Sequence, residues 1–585
     1  MRVFRTTLTW AILSCTVLFV TSFLFAQATS SPASTGQAPP LTKDGAATNP
    51  SISIKVTTRM VLVDLVATDK NGKPITDLTQ GDITLLEDSK PEKIALFSSY
   101  SEARKNPDVS PAALPPDVYS NNPKYRQPPG PLVLLLLDGL NTGTADQVYS
   151  RQQMLRYLRT QLQPDQRVAV LALAQDLLLL QDFTDDSRSL INTLETYSPK
   201  KSMMISRGEP FTLTQLEADT LPKPSFLLMA LDRFNQERAI DSIDARVTLT
   251  LAALASIARA MAGYPGRKNL IWISSAFPFS LSPQDTGYGH MSRNYSEQIQ
   301  QTARLLSAAR VAVYAVDARG LVGTQPRPNA LVSTIDRPEQ SGEDEMTQSV
   351  TMVDTSHLAM EQLAQATGGR AFYNVNDLSK AVASGVSDGT SYYTLGYYPE
   401  NKIWDGKFRR IEIKIKRKGT RIRFREGYYA LNPAEAAPGP NTRQQQNQMR
   451  ELLAAALDPM PATAITFRAR LVAAPAGHSP QQVQFQVDAD SISFEDAGQG
   501  RQRCNLDFVA FSVAADGKVL RSVAKSVDTP LQTAEYSSVL QQGLPFRMEI
   551  EASPGTQYLR LAVRDNLSGR VGTLEIPDPN SGVQR

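Results

Sequence analysis

The run Leu132–Asp138, LVLLLLD, holds no polar residue until its last position. An element with one wet face alternates or repeats at helical spacing. An unbroken apolar run of this length predicts a strand covered on both faces, the kind found in parallel sheets clad by helices. The same rhythm continues downstream. Thr144 with Gln147 predicts an N-terminal capping box, and Leu155, Leu158 and Leu162 form the stripe of the helix that it opens. RVAVLALA and LLLLQDF read as two strands joined tightly, and DDSRSLINTLE as a second helix. Val247, Leu251, Leu254, Ala258 and Met261 mark one face of a helix over Asp244–Ala262. NLIWISS, YSEQIQQTARLLSAAR, VAVYAVD, HLAMEQLAQATGG (closed by Gly368) and RAFYNV complete an alternation of strand and helix. Such an alternation implies right-handed crossovers and a doubly wound, Rossmann-like sheet over residues 131–390.

The remainder is β-rich. At 585 residues the chain exceeds one core, so several domains are expected. MVLVDLVATD, DITLLED and EKIALFSS, with the earlier ISIKVTT, predict short strands in residues 51–100. A Pro-rich linker is expected over 101–130. Residues 391–430 return to antiparallel alternation, with Ile411, Ile413 and Ile415 between charges and Lys418-Gly419 placed for a hairpin turn. These two β regions are either one sandwich interrupted by the α/β domain or two separate pieces. A linker over 431–450 then leads into an all-β domain over 451–585. The expected class is therefore multidomain α/β plus all-β, with Ig-like β-sandwich regions flanking the α/β domain.

At the amino terminus, Arg2 and Arg5 precede an apolar stretch that ends in Ala26 and Ala28, the pattern of a secretory signal peptide over residues 1–28. The alternative is retention as an anchor. Residues 29–50 are rich in Ser, Thr, Pro, Ala and Gly and predict a flexible tether. An exported protein follows, in the periplasm, at the outer cell envelope or outside the cell. Only Cys15 and Cys504 occur, so the mature chain closes no internal disulfide. The formal charge of +3, without a long tract of one sign, gives no footprint of nucleic-acid binding.

Chemistry-bearing motifs are few. The histidines, His290, His357 and His478, stand in no metal-binding spacing, and there is no G-x-S-x-G elbow or P-loop ending. His357 reads as a surface or capping residue and Cys504 as an inert core thiol. A segment over about 198–244, with Met203 and Met204, interrupts the α/β pattern and suits a lid or partner surface. The basic stretch Lys414, Lys416, Arg417, Arg421, Arg423 and Arg425 reads first as a solvated sheet face, with peripheral contact to anionic envelope material as the alternative.

The order of elements resembles the von Willebrand factor A domain. VDLVATDKNGKPITDLTQGDITLLEDSKPEKIALF, LLLLDGLNT, GRKNLIWISSAFPFS, VYAVDARGL and SYYTLGYYP make the chain resemble the acidobacterial type of von Willebrand factor A-related (VWA domain-containing) exported proteins, over about Ile52–Tyr429. That resemblance implies a metal-ion-dependent adhesion site at the carboxyl edge of the sheet, built from Asp-x-Ser-x-Ser, a Thr and a further Asp around a hard cation, Mg2+ or alternatively Mn2+ or Ca2+. Asp138 takes the carboxylate position and Thr142 the last hydroxyl position, but Leu140 replaces the first serine. Ser274, Ser275 and Ala276 stand where the other aspartate belongs. The second-loop threonine has no clear counterpart, since Thr248 and Thr250 fall in the predicted helix and Asp241 and Asp244 just before it. The motif is degenerate, and the simpler reading has Asp138 and Thr142 capping the turn. Asn141, Ser274, Ser275 and Asp317 complete the candidate ligand-binding loops, Asp317 reading first as a solvated strand-end residue. The expected function is non-enzymatic protein binding or adhesion, with a protein ligand as partner. The alternative is an envelope enzyme or assembly factor using Asp138, Asp317 and the Ser274-Ser275 loop.

Overall fold

A computed structural model describes residues 59–101, 113–126, 131–163, 166–199, 202–208, 226–275, 295–320, 356–430, 442–472, 481–551 and 553–578. The leader, the tether over 29–50 and the strand expected at ISIKVTT lie outside the described residues. Among the described residues no helix is long and apolar enough to cross a membrane.

The α/β domain is a six-stranded sheet. Its strands, numbered in chain order, are β6 (Leu132–Asp138), β7 (Arg167–Leu173), β8 (Leu177–Thr184), β9 (Lys268–Ser274), β10 (Val311–Asp317) and β11 (Arg370–Phe372), in spatial order β11-β10-β9-β6-β7-β8. All pairings are parallel except that of β8 with β7. The reason for the unbroken apolar run is now visible. Leu132, Leu134 and Leu136 face one buried cluster, and Val133, Leu135 and Leu137 face the other, so neither side of β6 meets water. The helix carrying Val247, Leu251 and Leu254 covers the first face, and helix Thr144–Thr160 the second through Met154, Leu155 and Leu158.

Two expectations are corrected here. Helix Thr144–Thr160 is capped by Gly143 with no side-chain cap bond, because Gln147 instead sends its amide to the carbonyls of Thr142 (2.8 Å) and Gly139 (3.3 Å). The helix expected from Asp244 begins at Phe226 and runs 36 residues to Met261, about 54 Å at the usual rise. Part of the supposed insertion is therefore an extension of a core helix. Helix Met203–Gly208 packs on it, with the Ser242 hydroxyl donating to the Met204 carbonyl (2.5 Å).

The flanking β regions share strands. β1 (Val61–Thr68) and β4 (Ile94–Ser101) both pair antiparallel with β12 (Ser391–Tyr397), and β1 also pairs with β14 (Arg421–Arg423). β2 (Ile83–Glu87) pairs with β3 (Lys90–Glu92) and with β13 (Phe408–Ile415), which pairs with β15 (Gly427–Tyr429). Val63, Leu65, Leu85, Leu395, Tyr397 and Ile411 form one core between these two four-stranded sheets. The α/β domain thus sits in the chain between β4 and β12, whose ends Ser101 and Ser391 are register partners. The Lys418-Gly419 hairpin does not form. Gly419 turns at φ +76°, but the chain crosses there from β13 in one sheet to β14 in the other.

The carboxyl-terminal region packs two β-sheets around Phe467, Phe485, Phe508 and Cys504. One of them recruits β5 (Val118–Ser120), from the stretch expected to be a linker, as partner of β16 (Phe467–Val472). Asn121 locks that addition. Fully buried, it donates to the carbonyls of Ala462 and Ile465 and accepts from the Phe467 N–H, all within 2.9 Å. The region abuts the long helix of the α/β domain, where Thr463 bonds Arg259, Ala260 and Gly263. A Cβ on Gly263 would lie 2.2 Å from the Thr463 carbonyl oxygen, so only glycine permits this approach.

Candidate functional site

β6 ends at Asp138 between β7 and β9, the position at which open α/β sheets present their ligand loops. The Gly139 and Leu140 N–H groups both donate to the Leu173 carbonyl (2.8 and 2.9 Å), which folds the loop back over β7. Leu140 is thereby buried in the core beside Leu173, an apolar plug where a ligating hydroxyl was absent from the sequence.

Asp138 is 2% exposed. One carboxylate oxygen accepts the Asn141 N–H (2.9 Å), and the other accepts the Asn141 side-chain amide (2.9 Å) and the Trp272 indole N–H (3.1 Å). The Ser274 hydroxyl bonds it as well. A carboxylate offers about four lone-pair sites, so these donors fill it. Burial pushes the carboxyl above its ordinary range, and the bonds from Asn141, Ser274 and Trp272 counter only part of that cost.

Asn141 is the hub. Its amide nitrogen also donates to Thr250 Oγ1 (2.9 Å), and its carbonyl oxygen accepts Arg246 Nε (2.9 Å). Arg246 and Thr250 are one turn apart on the long helix, and Thr250 returns its proton to the Arg246 carbonyl (2.7 Å). A guanidinium therefore stands on the far side of Asn141 from Asp138, near enough for the carboxylate's charge to act on it. Thr142, also buried, accepts the Ser275 N–H on Oγ1 (3.1 Å) and so ties the first loop to the end of β9. The structure brings Asp138, Asn141, Thr142, Ser274 and Ser275 together around one loop. The residues after Ser275 lie outside the description.

Asp317 is register-paired with Ser274 but forms a cluster of its own. It is fully buried rather than solvated: Arg319 grips both carboxylate oxygens, and His357 Nε2 lies 2.9 Å from Oδ2. Burial raises this carboxyl, but the bonds from His357 and Arg319 and the charge of Arg319 outweigh it and hold it below the usual range. His357, expected at the surface, is buried and stacked on Tyr373 with ring centroids 4.4 Å apart, because its helix packs its first turn against the end of β10.

A divalent ion does not fit these residues. It needs several unclaimed oxygens, whereas the acceptor sites of Asp138 are occupied by N–H and O–H donors and Leu140 offers none. Among the described residues no three His, Cys, Asp or Glu side chains are grouped to hold a metal. The cavity beside Asp138, lined by Gly139, Thr142, Gln147, Ser150 and Tyr197 among others, measures about 10 Å³, room for about one water. Trp272, Arg246 and His357 were missed as members of these clusters, and Thr250, weighed as the second-loop threonine and set aside for falling in a helix, reaches the first loop from that helix. The i,i+4 pairing of Arg246 and Thr250 on a core helix was the one signal available.

No family model matches the sequence. No curated protein matches it either. Among solved structures, it is similar to an aerotolerance-related membrane protein from Bacteroides fragilis, at 14% identity and TM-score 0.22, covering 44% of this chain and 99% of that one. It is also similar to the conserved hypothetical protein BatB from Bacteroides thetaiotaomicron, at 12% identity and TM-score 0.21, covering 44% and 97%. A von Willebrand factor type A protein from Catenulispora acidiphila gives 8% identity and TM-score 0.22, covering 63% and 82%. Likenesses of this size carry no argument about what the chain does.

Proposed function

We propose that this chain is an exported, non-enzymatic protein-binding protein of the cell envelope, in which a von Willebrand factor A-like α/β domain meets its partner without a metal ion. The observation that carries the reading is the saturation of Asp138. Its oxygens, the only carboxylate of the first loop, are consumed by Asn141, Trp272 and Ser274, so the loop is a rigid, pre-formed turn rather than an open coordination sphere. A one-water cavity beside it suits a recognition face better than a substrate cleft.

A protein partner is further supported by the helical extension. Phe226, Leu227, Met229 and Phe234 are 86%, 55%, 67% and 48% exposed, and Met203 on the neighbouring short helix is 53% exposed. Large apolar side chains gathered on one extension mark an interaction surface more often than a solvated one. The test places a photo-crosslinking phenylalanine analogue at position 226 or 227, and at the exposed Leu520 of the carboxyl-terminal region as control. One discrete protein adduct from 226 and 227, whose purified partner binds the full chain in EDTA, is the expected result. Equal adducts from Leu520, or binding abolished by EDTA, would overturn the reading.

A further inference from the structure

Arg246 is half-buried, and its Nε is committed to Asn141. Its two Nη groups have no hydrogen-bond partner among the described residues, and they are not among the side-chain atoms sealed from solvent. The Nη pair is thus held by the Nε bond yet open to solvent or to a ligand. Burial depresses its basicity and the nearby charge of Asp138 restores part of it, yet an arginine remains charged at any working pH. The group is also pre-oriented. Asn141 holds Nε from one side while being held itself by Asp138 and Thr250, so the side chain is fixed before a ligand arrives.

We infer that the outer Nη pair of Arg246 is the receptor for a single carboxylate presented by an acidic side chain of the partner, an inference that rests on the protein-binding reading above. With Nε occupied, the two Nη–H groups form a planar fork that matches the two oxygens of a carboxylate. Charge favours a monoanion over a phosphoryl group. The charge of Asp138 already weakens the field of Arg246, and the cost of desolvating an anion grows faster with its charge than its attraction to one guanidinium does. Ile243, one turn before Arg246 and 38% exposed, supplies an apolar edge that helps exclude water around the pair.

The site contains its own reporter. Trp272 donates its indole N–H to Asp138, which Asn141 links to Arg246. The chain has only three tryptophans, Trp10, Trp272 and Trp404, so 15N-indole labelling of the full chain gives a readable spectrum, with Trp404→Phe fixing the assignment. The experiment titrates sodium acetate at pH 7, constant ionic strength and excess EDTA, with parallel arms of chloride and inorganic phosphate. Acetate is expected to move the Trp272 resonance saturably, at lower concentration than phosphate, and chloride to leave it in place. Arg246→Gln should weaken acetate at least tenfold. Arg246→Lys, which keeps charge but not the fork, should be intermediate, and Arg188→Gln on the exposed face of another helix should match wild type. A dispersed Trp272 signal together with a cooperative urea transition in ligand-free Arg246→Gln certifies its fold; should that variant fail to fold, Arg246→Lys decides. Absence of a saturable shift, an unchanged titration in the arginine variants or a need for Mg2+ would overturn the inference, and tighter phosphate would overturn the choice of carboxylate. If acetate fails while the 226 and 227 adducts form, only this inference falls. If acetate binds and no adduct forms, the protein-binding reading falls instead.

Discussion

Arg310→Met tests how the α/β domain is held to the sandwich. Arg310 follows helix Ser296–Ala308 in the left-handed region, φ +55°, an unusual conformation for a side chain of this size. From there it reaches into the other domain. Nε bonds Asp64 Oδ2 (2.9 Å), while Nη2 bonds Asp64 Oδ1 and Thr394 Oγ1 (2.8 Å), joining β10's lead-in to β1 and β12 at once. The Asp64 side chain is 8% exposed and that of Arg310 24%, so the pair is little screened. Burial raises the Asp64 carboxyl, but the bonds and charge of Arg310, the charge of Arg267 and the Thr394 hydroxyl outweigh it and hold it below its ordinary value. Removing the guanidinium while leaving the buried carboxylate should cost about 3–5 kcal/mol at pH 7. The sign with pH follows. In wild type the depressed carboxyl contributes stability above its unfolded value, lost as pH falls through the lower folded value. In the variant burial acts with far less opposition, so the folded value rises, and the carboxylate's penalty fades as it takes up a proton. The gap between the two proteins should therefore be full at pH 7 and narrow towards pH 4. Urea unfolding, followed separately through the fluorescence of single-tryptophan versions keeping Trp272 or Trp404, reads each domain at both pH values. A loss below about 1 kcal/mol at pH 7, or one equal at pH 4, would refute the reasoning.

Three further outcomes are expected. Calorimetric titration of Mg2+, Mn2+ or Ca2+ into the full chain should show no saturable heat at Asp138, so that Asp138→Ala changes thermal stability but not the titration. Asn121→Ala deletes three buried bonds between the β5 segment and the carboxyl-terminal region and should destabilise that region by roughly 2–4 kcal/mol, measured as an earlier urea transition when Trp404 and Trp272 remain native-like. Cys504 is fully buried, and burial raises its thiol above the ordinary value, so a disulfide dye should react with Cys504 in the native protein only at the rate at which it unfolds.

Local features were legible in the sequence to the extent that one element determined them. The apolar run Leu132–Leu137 announces two buried faces because both faces are indeed covered, and Asp138 announces a turn because its nearest donor is three residues away. Trp272 and Arg246 reach the same loop from 134 and 105 residues away, and no local periodicity carries that meeting. His357 was misread for the same reason: its burial depends on Asp317 and Tyr373, which a crossover brings to it. Lys418-Gly419 shows a different limit. Turn chemistry states that the chain reverses, but not that it changes sheet. β5 has three residues, too few for alternation to register inside a Pro-rich stretch.

The split of the sandwich has a consequence for synthesis. β1 to β4 emerge first, yet β12, the strand lying between β1 and β4, follows roughly 290 residues later. At about 5–20 residues per second, the early strands wait on the order of 15–60 s with Val63, Leu65 and Leu85 uncovered. β5 waits longer still, for Phe467–Val472. The α/β unit completes its own sheet in the interval, so it is the one part able to fold on schedule. The early sandwich strands must be kept from aggregating until β15 at Gly427–Tyr429 has been made, and β5 until β16 has.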